Sequence, residues 1–253
     1  MEKVNVYGID GSEKEKITLP GVFNITIRPD IIQKSFSVLH SNRRTPYGAN
    51  KDAGTKHATA SVGKGKGMSR VPRLTQGGKA ALAPCVVGGR RAHPPRSDRI
   101  WTEKINLKEK RLAKHSALAA TAQKEIVAKR GHKFQDSVTL PIIVEDAFGK
   151  LTKTKEVLDS FEKLGIIDDV DRSKNGTHIR AGRGKSRGRR YKTPKSILII
   201  STNEEIKKGS SNISGVDVIS PKKLNIDHLA PGGMSGRLTV ITQSALTVLG
   251  GKN

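Results

Sequence analysis

The sequence predicts an α/β protein: a small, mostly parallel sheet with helices on both faces, plus a long, extended basic loop. Three observations lead there. Strand-like and helix-like segments alternate from residue 137 onward, the pattern of βαβ crossovers. The 253 residues carry a formal net charge of +24, from 47 Lys and Arg against 23 Asp and Glu. That charge is concentrated, because residues 43–99 hold 13 basic and two acidic residues and residues 172–195 hold ten basic and no acidic ones. These stretches together carry +21, and the other 172 residues only +3. The expected organisation is a globular body over 1–42 and 100–253, a basic arm over 43–99 inserted in it, and a second basic insert over 172–195.

Within the body, Lys3–Tyr7 alternates apolar and polar residues as a strand does. Asp10 and Gly11 signal a turn, and residues 16–19 are expected to pair back. Pro29 and Asp30 open a helix, with Ile32, Phe36 and Leu39 at helical spacing. Asn106 precedes Glu109 by three, a capping pattern, and a helix to about Lys129 is expected with Leu112, Ala119, Ala122 and Ile126 on one stripe. Residues 139–144 read as a buried strand that Pro141 places at an edge or a strand start. An amphipathic helix over 154–164 ends at Gly165. Residues 196–201 form the most hydrophobic strand, 216–219 a short one and 237–241 another, and 242–249 a closing helix. The sheet is expected to hold four to five strands.

Several functions are excluded. The longest aliphatic run, 197–200, has four residues, whereas a membrane helix needs roughly 20. The N-terminus has no apolar h-region, so no secretory signal is expected. The basic stretches lack the bulky apolar residues of a membrane-surface helix. Cys85 is the single cysteine, which rules out a disulfide or a cysteine zinc cluster within the chain and fits a reducing, cytoplasmic compartment. Its apolar neighbours make it read as a small packing residue. Gly184-Lys185-Ser186 resembles the tail of a phosphate loop, but Ile179 stands where the leading glycine belongs, and Met68 breaks the dinucleotide pattern begun by Gly63 and Gly65. Seven histidines show no H-x-x-x-H pair, and Ser244 lies outside a nucleophile elbow. Asp168, Asp169 and Asp171 read as a solvated acidic turn. No catalytic, cofactor or metal residue is expected.

A polyanion remains as the partner. The 43–99 stretch contains nine Gly, five Pro and one aromatic residue, Tyr47. It is either a disordered surface loop or an arm that orders against a polyanion. In 172–195 Gly alternates with Arg or Lys, so amides and cations both reach phosphates, and Tyr191 is available to stack on a base. That stretch reads as a flexible basic linker or, better given the strand after it, as a βα-type crossover insert. Irregular basic segments suit structured RNA, and there is no zinc finger, zipper or basic recognition helix for duplex DNA. The candidate RNA-binding residues are Arg43, Arg44, Lys51, Lys56, Lys64, Lys66, Arg70, Arg73, Lys79, Arg90, Arg91, His93 and Arg96 in the first stretch. In the second they are Arg180, Arg183, Lys185, Arg187, Arg189, Arg190, Tyr191 and Lys192. The alternatives are an RNA-acting enzyme, for which no cofactor fingerprint or acid–base pair is found, and a chromatin-type DNA-binding protein.

Several blocks also occur in a fixed order: Ile27-Arg-Pro-Asp30, Asn42-Arg43-Arg44, Val87-Gly-Gly-Arg-Arg-Ala-His-Pro-Pro95, Ser116-Ala-Leu-Ala-Ala-Thr-Ala122, Gly182-Arg-Gly-Lys-Ser-Arg-Gly-Arg-Arg190 and Leu229-Ala-Pro-Gly-Gly233. In this order over nearly the whole chain they resemble the large-subunit ribosomal protein four family in its archaeal and eukaryotic form. The eukaryotic form carries a long C-terminal extension and this chain stops at Asn253, so an archaeal source is expected. The resemblance implies a non-enzymatic α/β body on the outer surface of the large subunit and an arm that penetrates large-subunit ribosomal RNA. It implies a role in subunit assembly and an arm tip at the narrow part of the nascent-peptide tunnel, next to a neighbouring ribosomal protein. By position the tip falls at Lys66, Gly67, Met68, Ser69 and Arg70. The partners implied are ribosomal RNA, neighbouring large-subunit proteins and the nascent polypeptide, with no homo-oligomer.

Overall fold

A computed structural model describes residues 3–251 of the chain. The chain divides into two compact units, Ser41–Glu103 and the remainder on either side of it. Helix α1 (Pro29–Asn42) enters the first of these and α2 (Leu107–Ala122) follows it.

The larger unit is built on a six-stranded sheet. Strands β1 (Lys3–Tyr7) and β2 (Glu13–Thr18) form the antiparallel hairpin expected from Asp10 and Gly11. Two short hairpins, β3 (Thr59–Ala60) with β4 (Arg73–Leu74) and β6 (His178–Ile179) with β7 (Tyr191–Lys192), lie outside this sheet. β5 (Ile142–Val144), β8 (Leu198–Ile200), β9 (Asp217–Ile219) and β10 (Thr239–Thr242) complete it in the order β2-β1-β5-β10-β8-β9. Every pairing except β1 with β2 is parallel. The fold class therefore holds, and the antiparallel edge strand makes the sheet one strand larger than expected. Pro141 precedes a strand inside the sheet, between β1 and β10, so it marks a strand start and not an edge.

Both sheet faces are covered, which is why the central strands read as unbroken apolar runs. One face carries Ile142, Val144, Ile199 and Val240 against Phe148, Val157, Phe161 and Ile206 of the segments that include α4 (Thr154–Lys163) and α6 (Ile206–Ser210). The other carries Val4, Val6, Ile143, Leu198, Ile200 and Ile241 against Ile32 of α1, Ala117 and Leu118 of α2, and Leu246 of α8 (Gln243–Gly250). Successive residues alternate between these sets, the period-2 geometry of a strand. The small residues Ala113, Ser116, Ala117, Ala119 and Ala120 are all buried, so α2 packs on almost every side through its middle. The helix stops at Ala122. Gln123 takes an extended conformation (φ −90°, ψ 110°), and α3 (Lys124–Lys129) starts anew. The single helix expected to Lys129 is thus two, and Leu112 and Ile126 are only half-buried while Val127 is fully buried.

The edge formed by β8 and β9 depends on a buried cation. Arg237 is 0% exposed. It donates to the carbonyls of Ser196 (2.8 Å), His228 (2.9 Å), Ile197 (3.3 Å) and Gly215 (3.2 Å), and pairs with Asp217 at 2.7 Å. Asp217 also pairs with the half-exposed Lys195 at 2.9 Å. Removing one partner of a buried pair strands the other charge, whereas an exposed pair contributes little. Asp217→Ala should lower the unfolding free energy by about 3 kcal/mol. Lys195→Ala should lower it by less than about 1 kcal/mol. Urea unfolding of the two variants checks this, and equal effects would contradict it.

Candidate nucleic-acid interface

The smaller unit is a two-legged stem closed by a loop. β3 (Thr59–Ala60) pairs with β4 (Arg73–Leu74), and the loop between them contains residues 61–72. Ala81 packs under the returning leg at 4% exposure. Glycine stands where the legs approach closely: a Cβ on Gly54 (φ +78°) would lie 2.6 Å from the Arg90 Cα, and one on Gly48 would meet the Ser97 backbone nitrogen. The loop glycines Gly63, Gly65 and Gly67 behave differently. Their φ values of +77°, +77° and +64° require glycine, yet a Cβ there would meet nothing within 4 Å.

Lys64, Lys66, Gly67, Met68, Ser69 and Arg70 are therefore exposed together at the loop's apex. Lys51, Lys56, Lys79, Arg90, Arg91, His93 and Arg96 are exposed along the legs, as are Arg43 and Arg44 at the start. Arg73 departs from the rest. It is half-buried and its guanidinium donates to the Gly78 carbonyl at 3.0 Å, so it braces the stem. Cys85 is exposed, not packed, because the apolar residues beside it sit on an open turn.

The second basic stretch starts inside a helix. Arg172 and Lys174 belong to α5 (Ile167–Asn175), and the cationic segment proper is a hairpin of β6 (His178–Ile179) and β7 (Tyr191–Lys192). It joins α5 to β8, so it is a helix-to-strand connection and not the βα-type insert expected. Arg180 is half-buried. Arg183, Lys185, Arg187, Arg189, Arg190, Tyr191 and Lys192 are exposed. Arg190 lies 5.7 Å from the centre of the Tyr191 ring, leaving that ring 59% exposed. Among the described residues, none of these hairpin cations pairs with a carboxylate.

A buried network fixes the base of this hairpin. Asp169, expected in a solvated turn, lies in α5 and is 0% exposed. It accepts hydrogen bonds from the Lys133 backbone (3.0 Å), Arg172 Nε (2.9 Å), Ser196 Oγ (2.8 Å) and His132 Nδ1 (3.0 and 3.1 Å to its two oxygens). Because Asp169 only accepts, Nδ1 carries the hydrogen. Arg172 goes on to the Lys195 carbonyl (2.8 Å) and Ser173 to the Pro194 carbonyl (2.7 Å), so both legs are tied to the body. Burial alone would raise the Asp169 pKa, but the hydrogen bonds from His132, Arg172 and Ser196 hold it at about 2. Burial pushes the His132 pKa below its usual value, against the pull of Asp169, so the ring stays neutral.

A further cationic site draws on residues far apart in sequence. Lys110, Arg111 and Lys114 of α2 line a cleft of about 380 Å³ with Lys222 and Lys223, the latter just before α7 (Ile226–Leu229). No carboxylate lines it. Burial, and then Lys110, hold the Lys114 amine below its ordinary pKa. Helical spacing on α2 was the only sequence signal for half of this cleft, and nothing linked it to residue 222.

No comparable site for catalysis is assembled. In open α/β sheets ligands bind beyond the strand C-termini where the strand order reverses, here at β8 and β10. There the polar groups bond to one another: Asp146 accepts from the Ser244 backbone (2.9 Å) and hydroxyl (2.7 Å) at the start of α8, and Ser244 meets Thr202 at 2.7 Å. Among the described residues no group of His, Cys, Asp or Glu is arranged to hold a metal, and no helix is long and apolar enough to cross a membrane.

The linkage of the network to pH has one sign. A depressed folded-state pKa gives stability that is present above the unfolded value and lost below it. Loss therefore begins as pH falls through about 6.5, where His132 of the unfolded chain protonates. It steepens from about 4, where the unfolded aspartate protonates, towards 2. Asp169→Ala should cost about 3–5 kcal/mol at neutral pH and flatten the limb below about pH 4. Urea midpoints between pH 7 and 3 measure both effects, and an unchanged acid limb in the variant would contradict the assignment.

Comparison with known proteins places the chain in a family. The family model described as "Ribosomal protein L4/L1 family" matches residues 17–252. A protein of Methanocaldococcus jannaschii named large ribosomal subunit protein uL4 is 50% identical over 248 residues, 98% of this chain and 98% of that protein. Proteins of the same name from Methanococcoides burtonii (46% over 252 residues, 99% of each chain) and Thermoplasma acidophilum (44% over 247 residues, 98% of this chain and 97% of that one) are similar over the same extent. With a family match over most of its length and archaeal relatives close to half identical from end to end, the chain belongs to the ribosomal protein L4/L1 family, in its archaeal form.

Proposed function

We propose that this protein is a structural component of the large ribosomal subunit that binds large-subunit ribosomal RNA, supports subunit assembly and lines the nascent-peptide tunnel with the apex of its arm. Membership in a ribosomal protein family makes the chain a structural protein and not an enzyme. The observation that carries the RNA reading is the exposure of two runs of cations, at 43–96 apart from Arg73 and at 183–192, on backbone rich in glycine. Cations and free amides at a surface with little acid are matched by phosphates, whose neutralisation releases counterions. Hairpins of this shape also suit folded RNA, which is recognised by its form and its unpaired bases.

The tunnel reading rests on the apex. Lys66, Gly67, Met68, Ser69 and Arg70 are exposed beside glycines with open space around them. Small, bare backbone there can border a narrow passage while Lys66 and Arg70 reach phosphate. Its partners would then be ribosomal RNA, neighbouring large-subunit proteins and the passing polypeptide, in the cytoplasm. Membership in that family leaves an RNA-acting enzyme without support.

The test uses a Met68→Cys, Cys85→Ser chain in cells. After sucrose-gradient separation the chain should sediment with large subunits, and a short cysteine–amine crosslinker should join residue 68 to a stalled nascent chain. A chain found mainly at the top of the gradient would overturn the ribosomal reading. A chain on subunits with no nascent-chain crosslink would overturn the tunnel assignment alone.

A further inference from the structure

The stem of the arm holds a feature that general attraction to a polyanion leaves unexplained. Two guanidinium groups lie on Trp101, Arg44 at 3.8 Å and Arg99 at 4.2 Å from the ring centre. Stacking on an aromatic ring orients an arginine without engaging its N–H edges, unlike an ion pair. The tryptophan is itself anchored, its carbonyl accepting from Ser41 Oγ at 2.7 Å. Arg96 and Arg99 then border a cleft of about 430 Å³ with Tyr47, Pro94, Pro95, Asp98 and Trp101. That volume falls within the roughly 300–1,000 Å³ of small-ligand sites. Tyr47 is 64% exposed on one wall. Asp98 is the single carboxylate of the cleft, and among the described residues it forms no ion pair.

We propose that this cleft receives one unstacked RNA nucleotide, with its base on the Tyr47 ring, its flanking phosphates on Arg96 and Arg99, and Asp98 selecting guanine. The proposal rests on the reading of the chain as an RNA-binding protein and adds the nucleotide that this site takes. An exposed tyrosine in a cleft also lined by two prolines offers a π face at little entropic cost, and base stacking on aromatic side chains tolerates any base. Asp98 supplies the discrimination. A carboxylate repels phosphate, so among arginines it serves a group that donates hydrogens. The Watson–Crick edge of guanine presents adjacent N1–H and N2–H donors to two carboxylate oxygens, whereas uracil offers one N–H flanked by carbonyls. A paired base has no free edge or face, so the ligand is an unpaired nucleotide. An acidic peptide would meet the arginines but would oppose Asp98 and leave Tyr47 unused.

Trp101 is the only tryptophan of the chain, so its emission reports this cleft and not the other basic surfaces. The full-length protein is titrated with five-nucleotide single-stranded RNAs differing only in the central base, with end-labelled RNA anisotropy read in parallel. Saturable change in Trp101 emission is expected, about tenfold tighter for a central guanine than for uracil. Tyr47→Ala should weaken the guanine oligomer about tenfold and Tyr47→Phe should not. Asp98→Ala should remove the guanine preference while binding persists. RNA that binds by anisotropy with Trp101 emission unchanged, or a Tyr47→Ala protein that behaves like the parent, would overturn the cleft assignment. An acidic peptide that shifts Trp101 emission at lower concentration than any RNA would assign the cleft to a protein neighbour instead. Absence of any anisotropy change would overturn the RNA reading beneath it.

Discussion

Uncompensated positive charge is the constraint on which the rest of the structure depends. The body keeps its ion pairs at home: Lys14 with Glu145, Lys34 with Glu109, Lys195 and Arg237 with Asp217. The loop apex and the 176–194 hairpin contain no acids to draw on. Segments of that composition cannot collapse onto a core, and they repel themselves unless an external polyanion screens them. Their backbone follows from this. The glycines at positive φ allow tight turns with no apolar cluster to hold them, and Gly48 and Gly54 let the two legs of the stem approach where a Cβ would block them.

The body has a second task, which is to hold the hairpin still. Asp169 is the means. A buried carboxylate is costly by itself and tolerable only when fully hydrogen-bonded. Here its donors come from His132, Lys133, Arg172 and Ser196, so one residue ties the loop after α3, helix α5 and the entry to β8 into a single node. The bonds from Arg172 and Ser173 to the carbonyls of Lys195 and Pro194 extend that node to both ends of the hairpin. Order at the base limits the conformational entropy lost when the cations above it meet their ligand. Beyond the ends of the parallel strands Asp146 accepts from the backbone and hydroxyl of Ser244 at the start of α8.

Much of the sheet was legible in the sequence, because strands buried on both faces leave apolar runs that nothing else in a basic chain resembles. The hairpin from Lys3 to Thr18 and the helix from Pro29 were legible for the same local reasons, a turn dipeptide and an N-terminal proline. Other features carried no local signal. Gln123 breaks a helix with neither Gly nor Pro. Three aspartates in four residues look alike whether solvated or buried, and the partners that bury Asp169 lie 37 and 27 residues away at His132 and Ser196. Cys85 sits among apolar neighbours yet is exposed. The cationic cleft joins Lys110 and Lys114 to Lys222 and Lys223 only once the chain is folded. At the interface, composition located the cations, but it could not separate Arg73, which braces the stem, from the exposed residues around it.

In the proposed function the arm and the hairpin are the RNA-facing parts and the body is their support. Amide hydrogen exchange of the full-length chain, free and bound to large-subunit ribosomal RNA, tests it most directly. Protection should rise in residues 43–99 and 176–194 and stay nearly unchanged in β5, β8 and β10, whose bonds are already formed in the free protein. Protection gained only across the sheet and its helices, with the arm and hairpin exchanging as fast as before, would contradict it.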